Sequence, residues 1–220
     1  MPSKRRFFLL PFFLMVLFQN NCIGQFTEDI EKSLRTKPKF FLNLASYNTF
    51  IDGDFASFDG IKTGVTFDKK VRFGIGYFAL ANNGVVTTIS VDEENYTFQT
   101  NGQLELYYFN LSAEYFFYHE FPWQFSVIPF NLALGSAHYE YISRNLSKRV
   151  NGPSEFIILY QPEVTAQYNV LRWFGFGVSS GYRFALLRSK EQTKKLPGFN
   201  FSIDFRLSLD ELYYELRGSK

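Results

Sequence analysis

From Lys39 onward the chain alternates apolar and polar residues over one stretch after another. The pattern is clearest in "GFNFSIDFRLSL", Gly198 to Leu209. There Phe199, Phe201, Ile203, Phe205, Leu207 and Leu209 alternate with Asn200, Ser202, Asp204, Arg206 and Ser208. Successive side chains of a strand point to opposite faces, so this segment predicts a strand with one greasy and one polar face. Eight such strands are predicted: Phe40–Phe50, Ser57–Phe67, Val71–Ala81, Leu104–Phe117, Trp123–Tyr141, Phe156–Tyr168, Trp173–Leu186 and Phe199–Leu209. No helical periodicity separates them, so they pair as antiparallel neighbours and not as βαβ units.

The connections add an orientation. Asp68–Lys70, His119–Pro122 and Asn169–Arg172 are tight turns, whereas Asn82–Gln103, Ile142–Glu155 and Leu187–Gly198 are long polar links, with a shorter Ile51–Ala56. Odd-to-even links are long and even-to-odd links are tight. An up-and-down barrel in an outer membrane has this asymmetry, with short periplasmic turns and long external loops.

The composition of the two faces separates a membrane barrel from a soluble one. In "VRFGIGYFA" the apolar Val71, Phe73, Ile75 and Tyr77 alternate with Arg72, Gly74 and Gly76. In "WFGFGVSSGYRFAL" Phe174, Phe176, Val178, Tyr182, Phe184 and Leu186 alternate with Gly175, Gly177, Ser179, Gly181 and Arg183. Glycine on a solvated strand surface only loses entropy, but a narrow barrel interior needs glycine beside long charged side chains. The greasy face therefore meets lipid. The polar face lines a lumen containing Lys62, Arg72, Glu114, Glu163, Arg183, Asp204 and Arg206, read first as a salt-bridge network filling a barrel too narrow for a channel, with a selectivity lining as the alternative.

Aromatic residues make up 20% of the chain, with 28 Phe and 14 Tyr, far above an ordinary soluble domain. Several gather at the tight turns: Phe67, Phe117, Trp123, Tyr168 and Trp173, as a membrane-interface girdle requires. A second band is expected through Tyr77, Tyr139 and Tyr141. Phase shifts between Tyr108 and Phe109, and between Val127 and Ile128 next to Pro129, predict a bulge in each strand.

The ends set the compartment. Lys4, Arg5 and Arg6 precede an apolar run from Phe7 to Phe18, then a short polar stretch reaches Gly24, the layout of a cleaved secretory signal peptide over residues 1–24. An uncleaved anchor is the alternative, but the run is short for a spanning helix and Pro11 interrupts it. Removing residues 1–24 takes three basic residues and no acidic one, so the formal net charge moves from +2 to about −1. The basicity belongs to the export signal, and no nucleic-acid partner is implied. The single cysteine, Cys22, leaves with the signal, which removes disulfides, thiol nucleophiles and thiolate metal sites. Residues 25–37 predict a periplasmic leader with a short helix capped by Thr27. Residues 38–209 form the barrel, and 210–220 a C-terminal tail.

With its signal ending in Gly24–Gln25, its alternating strands and its turn asymmetry, the chain resembles the small eight-stranded outer-membrane barrels of the OmpA/OmpX type, as exported by Bacteroidetes-like bacteria. The resemblance implies an all-β, antiparallel up-and-down transmembrane β-barrel. It implies lipids and lipopolysaccharide of a bacterial outer membrane as surroundings, the outer-membrane assembly machinery as partner, and an extracellular ligand of unknown kind. Such barrels usually end in an aromatic residue, whereas this chain continues through "DELYYELRGSK". Either the strand "FSIDFRLSL" serves as an internal signal, or Leu212, Tyr214 and Leu216 prolong it.

Candidate chemistry is sparse. His119 lies in a tight turn. Ser136, His138 and Glu140 share one face of a strand at i−2, i and i+2, the arrangement a lipid- or lipopolysaccharide-modifying enzyme would need. The glycines of "GFGVSSG" and "GIG" lie within strands and not at a helix start, so they do not form a phosphate loop. No metal-ligand cluster and no cofactor site is predicted. The leading reading is a non-enzymatic outer-membrane barrel, structural or ligand-binding through its external loops. A membrane-embedded enzyme and a soluble exported lipocalin-like carrier are the alternatives.

Overall fold

The computed structural model describes residues 28, 30–51, 53–81, 85–93, 96–143, 148–187 and 196–218. The proposed signal peptide, and most of the leader before residue 30, lie outside them. Residues 30–34 are helical, and no helix among the described residues is long and apolar enough to cross a membrane.

Eleven strands form one antiparallel sheet closed on itself. They are β1 (Lys39–Ile51), β2 (Asp54–Phe67), β3 (Val71–Leu80), β4 (Val86–Glu93), β5 (Tyr96–Glu120), β6 (Trp123–Ile142), β7 (Arg149–Asn151), β8 (Glu155–Tyr160), β9 (Glu163–Asn169), β10 (Phe174–Ala185) and β11 (Gly198–Ser208). The wall has eight staves: β1, β2, β3, β5, β6, the β8–β9 pair, β10 and β11. Closure comes from β1 against β11, in register from Phe41 opposite Ser208 to Thr49 opposite Asn200. The ring therefore has no free edge, the condition for a sheet in lipid.

The link over residues 82–103, expected as a loop, is largely a hairpin. β4 pairs with the first part of β5, from Val86 opposite Gln103 to Glu93 opposite Tyr96. β7 likewise pairs with the end of β6. β5 has 25 residues and β6 has 20, while a tilted strand crosses a bilayer in about 10. More than half of β5 and about half of β6 therefore stand outside the hydrocarbon, as a projecting blade at the long-loop end. The sequence hid it because Asn101 and Gly102 interrupt the apolar pattern, and neither face of a projecting hairpin has to be uniform.

The bulge expected in β6 next to Pro129 is present, while the one expected in β5 lies elsewhere. Tyr108 keeps phase and points inward, so β5 has no shift there. The irregularities lie between Ala113 and Tyr115 and between Phe116 and Tyr118. The first is one extra residue in β6 beside Pro129, also visible on the other side, where Leu132 faces Tyr160 but Ile128 faces Glu163. Pro162 interrupts the neighbouring stave at the same height. Two prolines without N–H groups meet across one ladder, and the Tyr160 hydroxyl donates to the Pro129 carbonyl at 2.7 Å.

Past Ser208 the chain leaves the sheet. Leu209–Leu216 form a helix, α1, with Asp210 and Glu211 in its first turn. It neither prolongs the strand nor stays irregular. Leu209 thus belongs to the helix and not to the lipid-facing row. The β2–β3 hairpin turns through Asp68 and Lys69, with φ of 48° and 55°, and Lys70 donates its N–H to the Phe67 carbonyl at 2.9 Å. Two successive residues in the left-handed region match the twist of the strands they join.

Glycines make room for the lumen. A Cβ on Gly60 would stand 2.2 Å from the Phe78 ring and 2.3 Å from the Tyr77 carbonyl, whereas at Gly198 its nearest neighbour would be 3.4 Å away. Gly60→Ala should therefore lose about 1–3 kcal/mol of stability by overpacking. Gly198→Ala should stay within about 0.5 kcal/mol of the parent. Urea-unfolding midpoints in detergent micelles measure both, and equal midpoints would refute this account of the interior.

Candidate functional site

The two faces of the wall carry opposite chemistry. Outward stand Phe73, Ile75, Tyr77, Phe109, Leu111, Val178, Phe199, Ile203 and Phe205, all exposed. On β5 the exposed apolar row runs from Tyr107 to Phe117, about the strand length that crosses a bilayer. Inward, Asn200, Ser202, Asp204 and Arg206 of β11 are buried.

At the short-turn end the five expected interface aromatics all touch other rings. Trp123 meets Tyr168 at 4.9 Å between centroids and stacks on Phe125 at 6.0 Å, and Phe117 stacks on Phe125. Phe67 packs on Phe73 and Trp173 on Phe174. Tyr139, expected in the opposite band, instead points inward and is buried. Tyr77 and Tyr107 are exposed at that level, 6.5 Å apart.

All seven charged residues expected in the lumen are buried there, at 6% exposure or less. Four form one cluster in the half nearer the tight turns. The Arg72 and Arg206 guanidinium groups each donate to Glu114 at 3.3 Å, to Oε2 and Oε1 respectively. Arg206 also donates to Asp204 at 3.2 Å and to Gln167 at 2.6 Å. Ser126 donates to Glu114 at 2.6 Å and Arg72 donates to Thr66 at 2.9 Å. The Arg72 guanidinium is held between the rings of Phe41 and Phe116, at 4.6 and 4.7 Å from their centroids.

Glu163 anchors a second cluster at mid-height, accepting from Tyr47, Asn131 and Asn200. Lys62 interacts electrostatically with both Glu114 and Glu163 and so links the clusters. Sequence alternation placed the charges but missed their uncharged partners, since Tyr47, Asn131 and Asn200 look like any inward strand residue.

Arg183 stands apart. It has no exposed surface and no salt bridge, lies 4.8 Å over the Phe58 ring, and interacts electrostatically with Tyr108 and Glu163. The half of the lumen nearer the long loops is not polar but apolar. Phe58, Phe78, Tyr108, Leu104, Leu106, Ile157, Leu159 and Leu196 form one buried cluster. Ile157 and Leu159, which break the alternation of their strand, are therefore correctly placed for this core. The interior is filled, with a polar half and a greasy half.

Ser136, His138 and Glu140 lie on the outward face of β6, Ser136 directly opposite Tyr107 and the other two beyond that level. No hydrogen bond joins the three, and the residue directly opposite His138 is Glu105 of β5. The Glu140 carboxylate lies 4.0 Å from Arg149. Among the described residues no group of three or more His, Cys, Asp or Glu could hold a metal ion.

The crystal structure of Neisserial surface protein A superposes on this chain with a TM-score of 0.52, at 15% identity, over 78% of this chain and 96% of that one. This is the fold of the small eight-stranded outer-membrane barrels. Ail, the attachment invasion locus protein of Yersinia pestis, gives a TM-score of 0.44 at 11% identity, covering 77% of this chain and 97% of its own. The N-terminal β-barrel domain of Pseudomonas aeruginosa OprF gives 0.44 at 11% identity, covering 78% and 98%. No protein-family model and no curated protein matches the sequence.

The two kinds of buried arginine in this barrel separate by mutation. Glu114→Ala leaves Arg72 and Arg206 without their shared carboxylate and should cost about 3–5 kcal/mol. Arg183→Leu replaces a buried cation that makes no salt bridge by an apolar group beside the apolar cluster and should leave stability unchanged or raised. Urea midpoints of the two variants should move in opposite directions or differ by that amount; a large loss in Arg183→Leu would refute the assignment.

Proposed function

We propose that this chain is an integral barrel of a bacterial outer membrane, delivered there by a cleaved signal peptide. It does not conduct, and it acts as a structural element that presents its long-loop end to the exterior for ligand contact. The observation that carries the proposal is the inversion of polarity: an apolar exterior of bilayer height around a lumen that packs a charged cluster and an apolar core. In water the exposed row from Phe73 to Phe205 would be a far larger apolar patch than a soluble monomer tolerates. A lipocalin-like carrier needs the reverse, a polar exterior and an apolar cavity, and the interior here is occupied by its own side chains.

The loop end supports the outward role. The β4–β5 hairpin and the β6–β7 extension project beyond the membrane band at a length the wall does not need. Elements that add nothing to barrel closure are the natural place for recognition. Outer-membrane lipids and lipopolysaccharide surround the wall, and the outer-membrane assembly machinery inserts it.

The test combines three measurements. The protein should fractionate with the outer membrane and migrate differently in gels before and after heating. In planar bilayers it should give no stable conductance steps. On intact cells a membrane-impermeant maleimide should label Ser90→Cys in the projecting hairpin, and Asp68→Cys in a tight turn only after lysis. Release into the soluble periplasm, open-channel steps, or the reverse labelling pattern would each overturn the corresponding part.

A further inference from the structure

The short-turn end holds a cavity of about 590 Å³. Its cationic lining comes from separate chain segments: Lys39 at the start of β1, Lys69 in the β2–β3 turn, Arg72 of β3 and Arg172 in the β9–β10 turn. Glu211 of α1 is the one carboxylate in the lining. Arg72 is already satisfied by Glu114, and Lys39 by Glu211 at 2.6 Å. Lys69 and Arg172 form no ion pair among the described residues. Tight turns can point their cations anywhere into water, yet here the topology gathers them around one opening. The cavity is blind, because the Arg72–Glu114–Arg206 cluster closes its inner end.

Glu211 reports the field at the opening. Its hydrogen bond with Lys39, and then the charges of Lys39, Lys69 and Arg172, hold its carboxyl below the usual carboxylate range. One anion supplied by the protein itself is thus drawn toward the rim, and α1 is held there by it and by the bond from the Phe40 N–H to Asp210. Lys69 and Arg172 make no salt bridge among the described residues, and the amides of Gln124 and Asn169 line the same cavity beside Gln167, which already donates to Asn169 and accepts from Arg206.

We propose that this vestibule binds a phosphate group, with Lys69 and Arg172 as its principal partners and Glu211 as a built-in competitor. A phosphate monoester carries about −1.5 to −2 charges and three acceptor oxygens, which matches two cations without a salt bridge and the amides beside them better than a carboxylate does. Two sources share this chemistry, a soluble phosphate and the headgroup of a lipid in the adjoining leaflet. The lipid source rests on the membrane reading above. Phe40 and Phe121, both exposed and both in the lining, give an acyl-bearing ligand an apolar edge to cross.

The experiment uses the purified full chain folded in a phosphate-free non-ionic detergent, with the heat-dependent mobility shift checked on the same sample. Inorganic phosphate and lysophosphatidic acid are titrated separately by calorimetry at low ionic strength. At least one should bind saturably, and the double variant Lys69→Gln/Arg172→Gln should weaken it about tenfold. Glu211→Gln, which removes the competitor, should tighten it about threefold, and Glu215→Gln on the same helix should leave it unchanged. Binding of lysophosphatidic acid alone identifies a lipid headgroup; equal binding of both identifies soluble phosphate. No saturable binding of either probe, an unaltered double variant, or a Glu211→Gln variant that binds no better would overturn the proposal. A sample that binds nothing but still shifts on heating leaves the barrel reading intact, and a sample without the shift refutes that reading instead.

Discussion

The interior is organised around one carboxylate. Glu114 of β5 takes hydrogen bonds from Arg72 of β3, from Arg206 of β11 and from Ser126 of β6. β3 and β6 flank β5 in the wall, while β11 lies across the ring, so these contacts span the lumen. In a low-dielectric interior a single buried charge is expensive, but a carboxylate shared by two guanidinium groups leaves few oxygen lone pairs unmet. Eight strands leave an interior only wide enough for side chains. Once Arg72 and Arg206 extend inward, the neighbouring staves must yield volume, and Gly177 of β10 does so, with Arg206 3.3 Å from where its Cβ would stand. Glycine on the polar face is a consequence of arginine on the polar face.

That dependence explains which parts of the structure were legible in the sequence. Alternation, turn lengths and glycines are all imposed locally by a narrow barrel in lipid. The eight staves therefore fall close to the segments predicted from the pattern alone, and Lys62, Arg72, Glu114, Glu163, Arg183, Asp204 and Arg206 all sit inside. What the pattern cannot carry is how the interior varies with height. Ile157 and Leu159 look like errors in a rule of greasy outside and polar inside. Their place becomes clear only when Phe58, Phe78, Leu104 and Leu106 from other staves arrive at the same level. Tyr139 misleads for the same reason, since a tyrosine near a strand end suits either a membrane interface or an apolar core.

The β4–β5 hairpin and α1 were illegible for a different reason. Neither belongs to the ring, so neither inherits its periodicity. The hairpin is fixed by pairing alone, from Val86 opposite Gln103 onward. The helix begins where Ser208 ends the last strand, and its first turn is held by the start of β1, through Lys39 and the Phe40 N–H. The cationic opening is a product of that same topology. Lys69 and Arg172 lie 103 positions apart in the chain, and only the up-and-down winding of the wall brings their turns to one end.

The two ends are consequently separate in chemistry and in space. The long-loop end lies over an apolar core and the short-turn end over a charged one. Arg183 sits at the boundary, a cation in the greasy half over a ring face. Its charge acts on Glu163 of the network below without a salt bridge, and it stands on β10, whose other inward positions are mostly glycine or serine. The wall at that stave is thus held mainly by its backbone ladders to β9 and β11.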